Sequence, residues 1–241
     1  MSLAGMIPAH TGYGAAVTGL IGADVRVTTG HAVTAASVVR TTFAAAGRDL
    51  AGRVLLLLCA LPSAAGRLAR LADELRANGY AGRIEIGGDV YRADVIIAAT
   101  SGGPGTVDVD RLRPGTVLVD DSFPHCFDTG RALARMREHD DVLIVGGGLL
   151  DCGPVERSVA DGLPISAHPG RLPGAIASCQ LESLLHAADP ALPLVSGPVG
   201  VGEVTAYGNA LDLAGVRAAP LHLLGVVVTT SPGGAPRRRA E

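Results

Sequence analysis

The sequence predicts an α/β protein built on a parallel sheet. Three observations lead there. Short continuous apolar runs, such as Val54–Leu58 and Val117–Asp120, lack the alternation of a half-solvated strand and suit strands covered on both faces. Stretches with helical spacing and short loops separate these runs, the pattern of a sheet flanked by helices. Apolar residues make up 48% of the chain and aromatics only 3%, so the core is built from Val, Leu, Ile and Ala.

Taken in order, residues 31–47 have helical spacing, with Val33, Val38, Val39 and Phe43 near one face and Gly47 as a stop. Strand Val54–Leu58 follows. Helix Ala64–Asn78 sets Leu68, Leu71, Ala72 and Leu75 on one stripe and ends at Gly79. Strands are expected at Arg83–Ile86, Asp94–Ala99, Val117–Asp120 and Val142–Val145. Ala175–Ala188 and Val201–Val216 read as helices. The Gly- and Pro-rich ends, residues 1–20 and 229–241, are where order is expected to be poorest.

The bulk numbers exclude several classes. With 241 residues there is ample length for a core, in one large domain or two small ones. A net charge of −3 argues against a general nucleic-acid binder, and the basic run Arg237–Arg239 reads as a solvated tail. No window reaches the roughly 18 apolar residues of a membrane span. The first twenty residues carry no Lys or Arg ahead of their apolar part, so a secretory signal is not expected. Cys59, Cys126, Cys152 and Cys179 form no C-x-x-C pair and no zinc spacing. Reduced thiols in a cytoplasm are the simple reading, with no metal site.

In parallel sheets ligands sit beyond the carboxyl ends of the strands. Those ends read "CALPS", "GGD", "TSGGPG", "DDSFPHC" and "GGGLLDC". A dinucleotide site needs glycines in the first of these turns, for the bend, for phosphate approach and for close helix packing. Here Cys59 places a side chain at the turn, Pro62 removes an N–H, Ala65 follows, and Gly66 is the sole glycine.

Several motifs occur in a familiar order: "TTGHAVTAA" (Thr28–Ala36), "GRDLAGRVLLLL" (Gly47–Leu58), "ADVIIAATSGGPG" (Ala93–Gly105), "TVLVDDSFPHCFD" (Thr116–Asp128), "VLIVGGGLLDCGPVERS" (Val142–Ser158), "PGAIASCQLESLLHA" (Pro173–Ala187) and "VGEVTAYGNALDLAGVRAAPL" (Val201–Leu221). Together they resemble the nucleotide-binding half and C-terminal helices of the cyanobacterial-type long-chain acyl-acyl-carrier-protein reductases. The resemblance covers about residues 20–221. It implies a shortened Rossmann-like parallel sheet with C-terminal helices, over 28–221, after a remnant N-terminal segment at 1–27 and before a tail at 222–241. It also implies reduction of a fatty acyl thioester to an aldehyde with NADPH, through a cysteine-bound acyl intermediate. Acyl-carrier protein or acyl-coenzyme A would be the donor. A partner protein is a further expectation, replacing the region the family has ahead of residue 1.

By this match Cys179, in Ser178-Cys179-Gln180-Leu181-Glu182-Ser183, is the nucleophile. It follows "HPGRLPG" at a helix start, where the helix terminus favours a thiolate. His31 stands where the family has Asn, Cys152 near a family His, and His125 where the family tends to have Lys. His31, His125 and Cys152 join Cys179 as catalytic candidates, since a Cys/His set suits acyl transfer without redox. The same four residues are a zinc-ligand set by type, but their spacing matches no zinc pattern. Thr100, Ser101 and Gly102 after the third strand, and Asp89 after "IEIGG", are the cofactor candidates, Asp89 for a ribose hydroxyl or as a plain turn aspartate.

The departures from the family carry weight of their own. Between Val54 and Val95 there is room for one βαβ crossover, of roughly thirty residues, and not for two. The family's Gly-rich turn and one strand–helix unit are missing, so weak or no NADPH binding is expected. Two further readings stand beside the reductase: a non-redox cysteine acyltransferase or thioesterase, and a cofactor-less binding or partner subunit. A different nicotinamide enzyme, of the shikimate-dehydrogenase kind, is disfavoured by the lost glycines.

Overall fold

The computed structural model describes residues 3, 10–12, 14–22, 24–47, 53–58, 82–153, 159–160, 163–164, 172, 174–197 and 199–228. Expected helix Ala64–Asn78, and the turn holding Cys59, Pro62, Ala65 and Gly66, lie outside them. Helices α1 (Ala15–Thr18) and α2 (His31–Ala46) precede strands β1 (Val54–Leu58), β2 (Arg83–Ile86), β3 (Val95–Ala98) and β4 (Val117–Asp120). Helix α3 (Thr129–His139) leads to β5 (Leu143–Gly146), β6 (Leu149–Asp151), β7 (Val159–Ala160), β8 (Leu163–Pro164) and β9 (Ala175–Ala177). Helices α4 (Ser178–Ala188) and α5 (Val201–Leu213) follow, then β10 (Arg217–Ala218), β11 (His222–Leu223) and β12 (Val226–Val227). The chain divides into two compact units: Met1–Arg40 with Gly148–Ala219, and Thr41–Gly147 with Pro220–Glu241.

The second unit holds a five-stranded sheet in the order β2-β1-β3-β4-β5, with every neighbouring pair parallel. This is a shortened Rossmann-like sheet. Leu56, Ile96, Leu118 and Ile144 stand opposite one another across four strands, and each is fully buried. Phe127, Ala132, Val109 and Leu223 pack on the same core. Leu223 belongs to the segment expected as a tail, yet β11 packs beside β5. From β2 the chain reaches β3 through Gly87–Asp94, with one 3-10 turn at Val90–Arg92 and no helix, as the short spacing required.

Helix α3 is missing from the sequence expectation. Its start is signalled by Asp128, whose side chain accepts from the Arg131 amide at 2.8 Å. Its apolar stripe is thin, because an arginine occupies the buried face. Arg135 donates to the carbonyls of Val109 and Leu112 and forms a two-pronged pair with Asp141, at 3.1 and 3.0 Å. The guanidinium fork meets both needs at once, satisfying carbonyls that side-chain apolarity could not.

The first unit has a small antiparallel sheet, β10-β6-β9, and a core of Ala32, Val33, Ala36, Leu150, Leu181, Val195, Tyr207 and Leu211. Ala175–Ala177, expected as helix, is extended because it pairs with β6, Leu150 facing Ile176. Ladder hydrogen bonds there outweigh the helix propensity of alanine. The last helix ends at Leu213 rather than Val216, since Gly215 takes φ +71° and Val216 folds its amide back to the Leu211 carbonyl.

Two arginines of α3 should therefore differ sharply on removal. Arg135→Ala strips a buried pair of one partner and is expected to destabilise by about 3 kcal/mol. Arg131→Ala breaks an exposed pair with Asp110 and should leave the urea midpoint unchanged. Chemical denaturation of both variants checks this.

Candidate functional site

In the first unit the site is built where two helix starts meet. Helix α2 begins after Gly30, and α4 begins with Ser178 and Cys179. Gly30 has φ +74°, and a Cβ there would lie 2.4 Å from the Cys179 carbonyl oxygen and 2.6 Å from its Cα. Only glycine fits both the conformation and the contact. Ser178 ties the same two helices, its Oγ 3.1 Å from the Thr34 hydroxyl, while its amide donates to the Gly148 carbonyl at 2.8 Å.

Glu182, one turn after Cys179, holds this junction. Its Oε2 accepts from the amides of Ala32 at 2.9 Å and Val33 at 3.0 Å, and its Oε1 from the Thr28 hydroxyl. These amides belong to the first turn of α2, which lacks partners within its own helix. Burial pushes Glu182 above the usual carboxylate range, against the opposing pull of Thr28 and the amides of Val33, Ala32 and Gly30. Tyr207, fully buried, donates to the Pro193 carbonyl at 2.7 Å, and its phenol is pushed up by burial and by the charge of Glu182.

The structure thus brings Cys179, half-buried, against the residue preceding His31, itself half-buried as the first residue of α2. Cys152 packs against the core of the same unit, and burial followed by the charge of Asp151 pushes its thiol up. That favours a packing role for Cys152.

His125 belongs to the sheet unit. There the chain order reverses between β1 and β3, the place where such sheets take ligands. The loops after β3 and β4 are knitted together, the Thr100 amide donating to Ser122 Oγ at 2.9 Å. Asp120 ends β4 with its side chain fully enclosed, and its carboxylate lies 2.8 Å from His125 Nδ1. Cys126 beside it is buried, and burial and then Asp120 push its thiol far up. Asp121 is raised to about 7 by burial and by the neighbouring Asp120.

The cofactor candidates are engaged with their own loops. Asp89 Oδ1 accepts from the Tyr91 amide at 3.0 Å, the geometry of a turn aspartate. The Thr100 hydroxyl accepts from the Gly102 amide at 3.0 Å, Thr100 is buried, and Ser101 and Gly102 are exposed. Among the described residues no group of three or more His, Cys, Asp or Glu is placed to hold a metal ion, and no helix is long and apolar enough to cross a membrane.

Sequence reasoning missed Asp120 and His222. The first lies hidden at the end of an apolar strand, and only the doubled Asp120-Asp121 marks it. His222 was assigned to a tail and is buried.

No family model matches the chain, and no curated protein matches it. Among solved structures it is similar to NAD+-bound 3-phosphoglycerate dehydrogenase of Entamoeba histolytica, with 14% identity and a TM-score of 0.36. The likeness covers 79% of this chain and 62% of that one, so this chain spans about three fifths of that protein's length.

Asp121 gives a pH prediction. Its folded value of about 7 lies above the ordinary 3.8, so the folded state binds the proton more tightly. Stability is then lost as pH rises from about 4 to about 7. Asp121→Asn should flatten that decline and be more stable than the parent above pH 7. Melting temperatures of the two proteins across this range test it.

Proposed function

We propose that this chain takes acyl groups from thioesters onto Cys179. The observation that carries the reading is the seat of that residue, in the first turn of α4 and pressed against Gly30 at the start of α2. The resemblance noted from the motifs supplies the substrate class, an acyl-carrier-protein or coenzyme A thioester. Helix α4 has Ala177 at its N-cap, with no side-chain hydrogen bond there. Cys179 lies in the first turn at the positive end of this helix, a position that favours a thiolate.

The step is an exchange of one thioester for another. The Cys179 Sγ thiolate attacks the carbonyl carbon and forms a new C–S bond. The C–S bond to the carrier breaks, and the carrier leaves as a thiolate that takes a proton from solvent. Water or an amine then releases the acyl group and regenerates the thiol. His31, at the adjoining helix start, is the base proposed for this release.

The resemblance also implies NADPH and an aldehyde product. Asp89 Oδ1 and the Thr100 hydroxyl, carried over for that cofactor, each accept an amide of their own turn. The turn after β1, where such a cofactor's phosphates would sit, lies outside the described residues, and the proposed chemistry is acyl transfer without redox.

Intact-mass measurement after mixing with acyl-coenzyme A, and separately with acyl-carrier protein, tests the reading. One acyl mass is expected on the parent and none on Cys179→Ala, with a slow oxygen ester on Cys179→Ser. The alanine variant should melt within about 1 kcal/mol of the parent, because the thiol is only half-buried. A parent that stays unmodified, with acyl donors merely bound, would replace the enzyme with a binding or partner subunit.

A further inference from the structure

The carboxyl edge of the sheet unit holds a second group of reactive side chains that the thiol chemistry does not use. Asp120 accepts from the amides of Ser122 at 3.1 Å and Cys126 at 3.2 Å, and from His125 Nδ1 at 2.8 Å. The carboxylate only accepts, so the Nδ1 of His125 carries a proton and Nε2 is the nitrogen left for exchange. Phe127 stacks on the ring with centroids 5.5 Å apart and planes 20° apart. Two independent contacts therefore fix this imidazole, while 23% of the His125 side chain remains exposed.

A second imidazole stands at the end of the neighbouring strand. His222 Nδ1 lies 3.1 Å from the Pro220 carbonyl, so it too carries the proton, and Nε2 is again the acceptor. A Cβ on Gly146, the last residue of β5, would lie 3.5 Å from that Nε2. Burial, and to a lesser degree His125, lower the proton affinity of His222. Among the described residues, the titratable groups beside these two imidazoles are acidic or thiol: Asp120, Asp121 and Cys126. Phe123, two residues before His125, is 71% exposed. The Asp120 carboxylate disfavours anionic substrates, and an exposed ring beside it suits an apolar one.

We infer that His125, oriented by Asp120, is a general base that activates water against small uncharged carboxylic esters at the ends of β4 and β5. Its Nε2 takes a proton from water as the oxygen attacks the ester carbonyl carbon. The tetrahedral adduct then expels the alkoxide, the C–O bond breaks, and the imidazolium returns the proton to the leaving oxygen. The products are a carboxylic acid and an alcohol. Asp120 is the positioning residue, and His222 supplies a second neutral acceptor at the same edge.

The test uses the full chain carrying Cys179→Ala, so that it stands apart from the thiol reading, with para-nitrophenyl acetate as probe. Hydrolysis should fall about a hundredfold or more in His125→Gln, the lower end of what a positioned base contributes. Added imidazole should restore it, saturably, in His125→Gly. Equal rates in the parent and His125→Gln would overturn the inference. So would a loss that imidazole does not rescue, which marks a structural histidine, or an acetyl group found on His125 by mass, which marks a nucleophile rather than a base.

Discussion

Burying a carboxylate is costly unless donors surround it, and the first unit is organised around one that has them. Glu182 is fully buried and takes two amides and a hydroxyl. The first turn of α2 needs acceptors, and a negative group at a helix start is also favoured by the helix dipole. One side chain thus fixes where α4 lies against α2. Cys179 precedes Glu182 by three residues and shares its face of α4, so the same bond draws Cys179 to the start of α2. That approach needs a glycine at position 30, where a Cβ would meet the Cys179 backbone. Glu182 thus occupies the amides of Ala32 and Val33 in the first turn of α2.

The sheet unit repeats this logic with a different outcome. Asp120 is also enclosed and surrounded by donors, but one of its partners is a partly exposed imidazole. A carboxylate that satisfies only backbone groups is a structural device. One that also orients a histidine sets the tautomer of a partly exposed ring. Glu182 is the former and Asp120 the latter.

Much of the fold was legible because buried parallel strands announce themselves as unbroken apolar runs. β1, β2 and β4 stand where the sequence put them, and β3 and β5 differ only at their ends. Asp94 was read as the start of a strand, but its carboxylate accepts the Val54 amide at 2.9 Å and closes the ladder instead. What stayed hidden depends on partners distant in sequence. Helix α3 was obscured by Arg135, whose burial makes sense only beside the carbonyls of Val109 and Leu112. Strand β9 was obscured because β6 decides its conformation. At the site, the helix start at Cys179 was legible from its prolines, whereas the role of Gly30 and the burial of His222 were not. Neither follows from local propensity, since both arise from what packs against them.

Among the described cysteines, Cys179 is the one proposed for reaction. Burial and nearby carboxylates hold Cys126 and Cys152 in the protonated form. The most direct measurement is the rate at which each cysteine of the native chain is alkylated by iodoacetamide at neutral pH, read peptide by peptide. Cys179 is expected to be modified well ahead of Cys126 and Cys152. Modification of Cys152 at an equal or greater rate, with Cys179 protected until the chain unfolds, would contradict it.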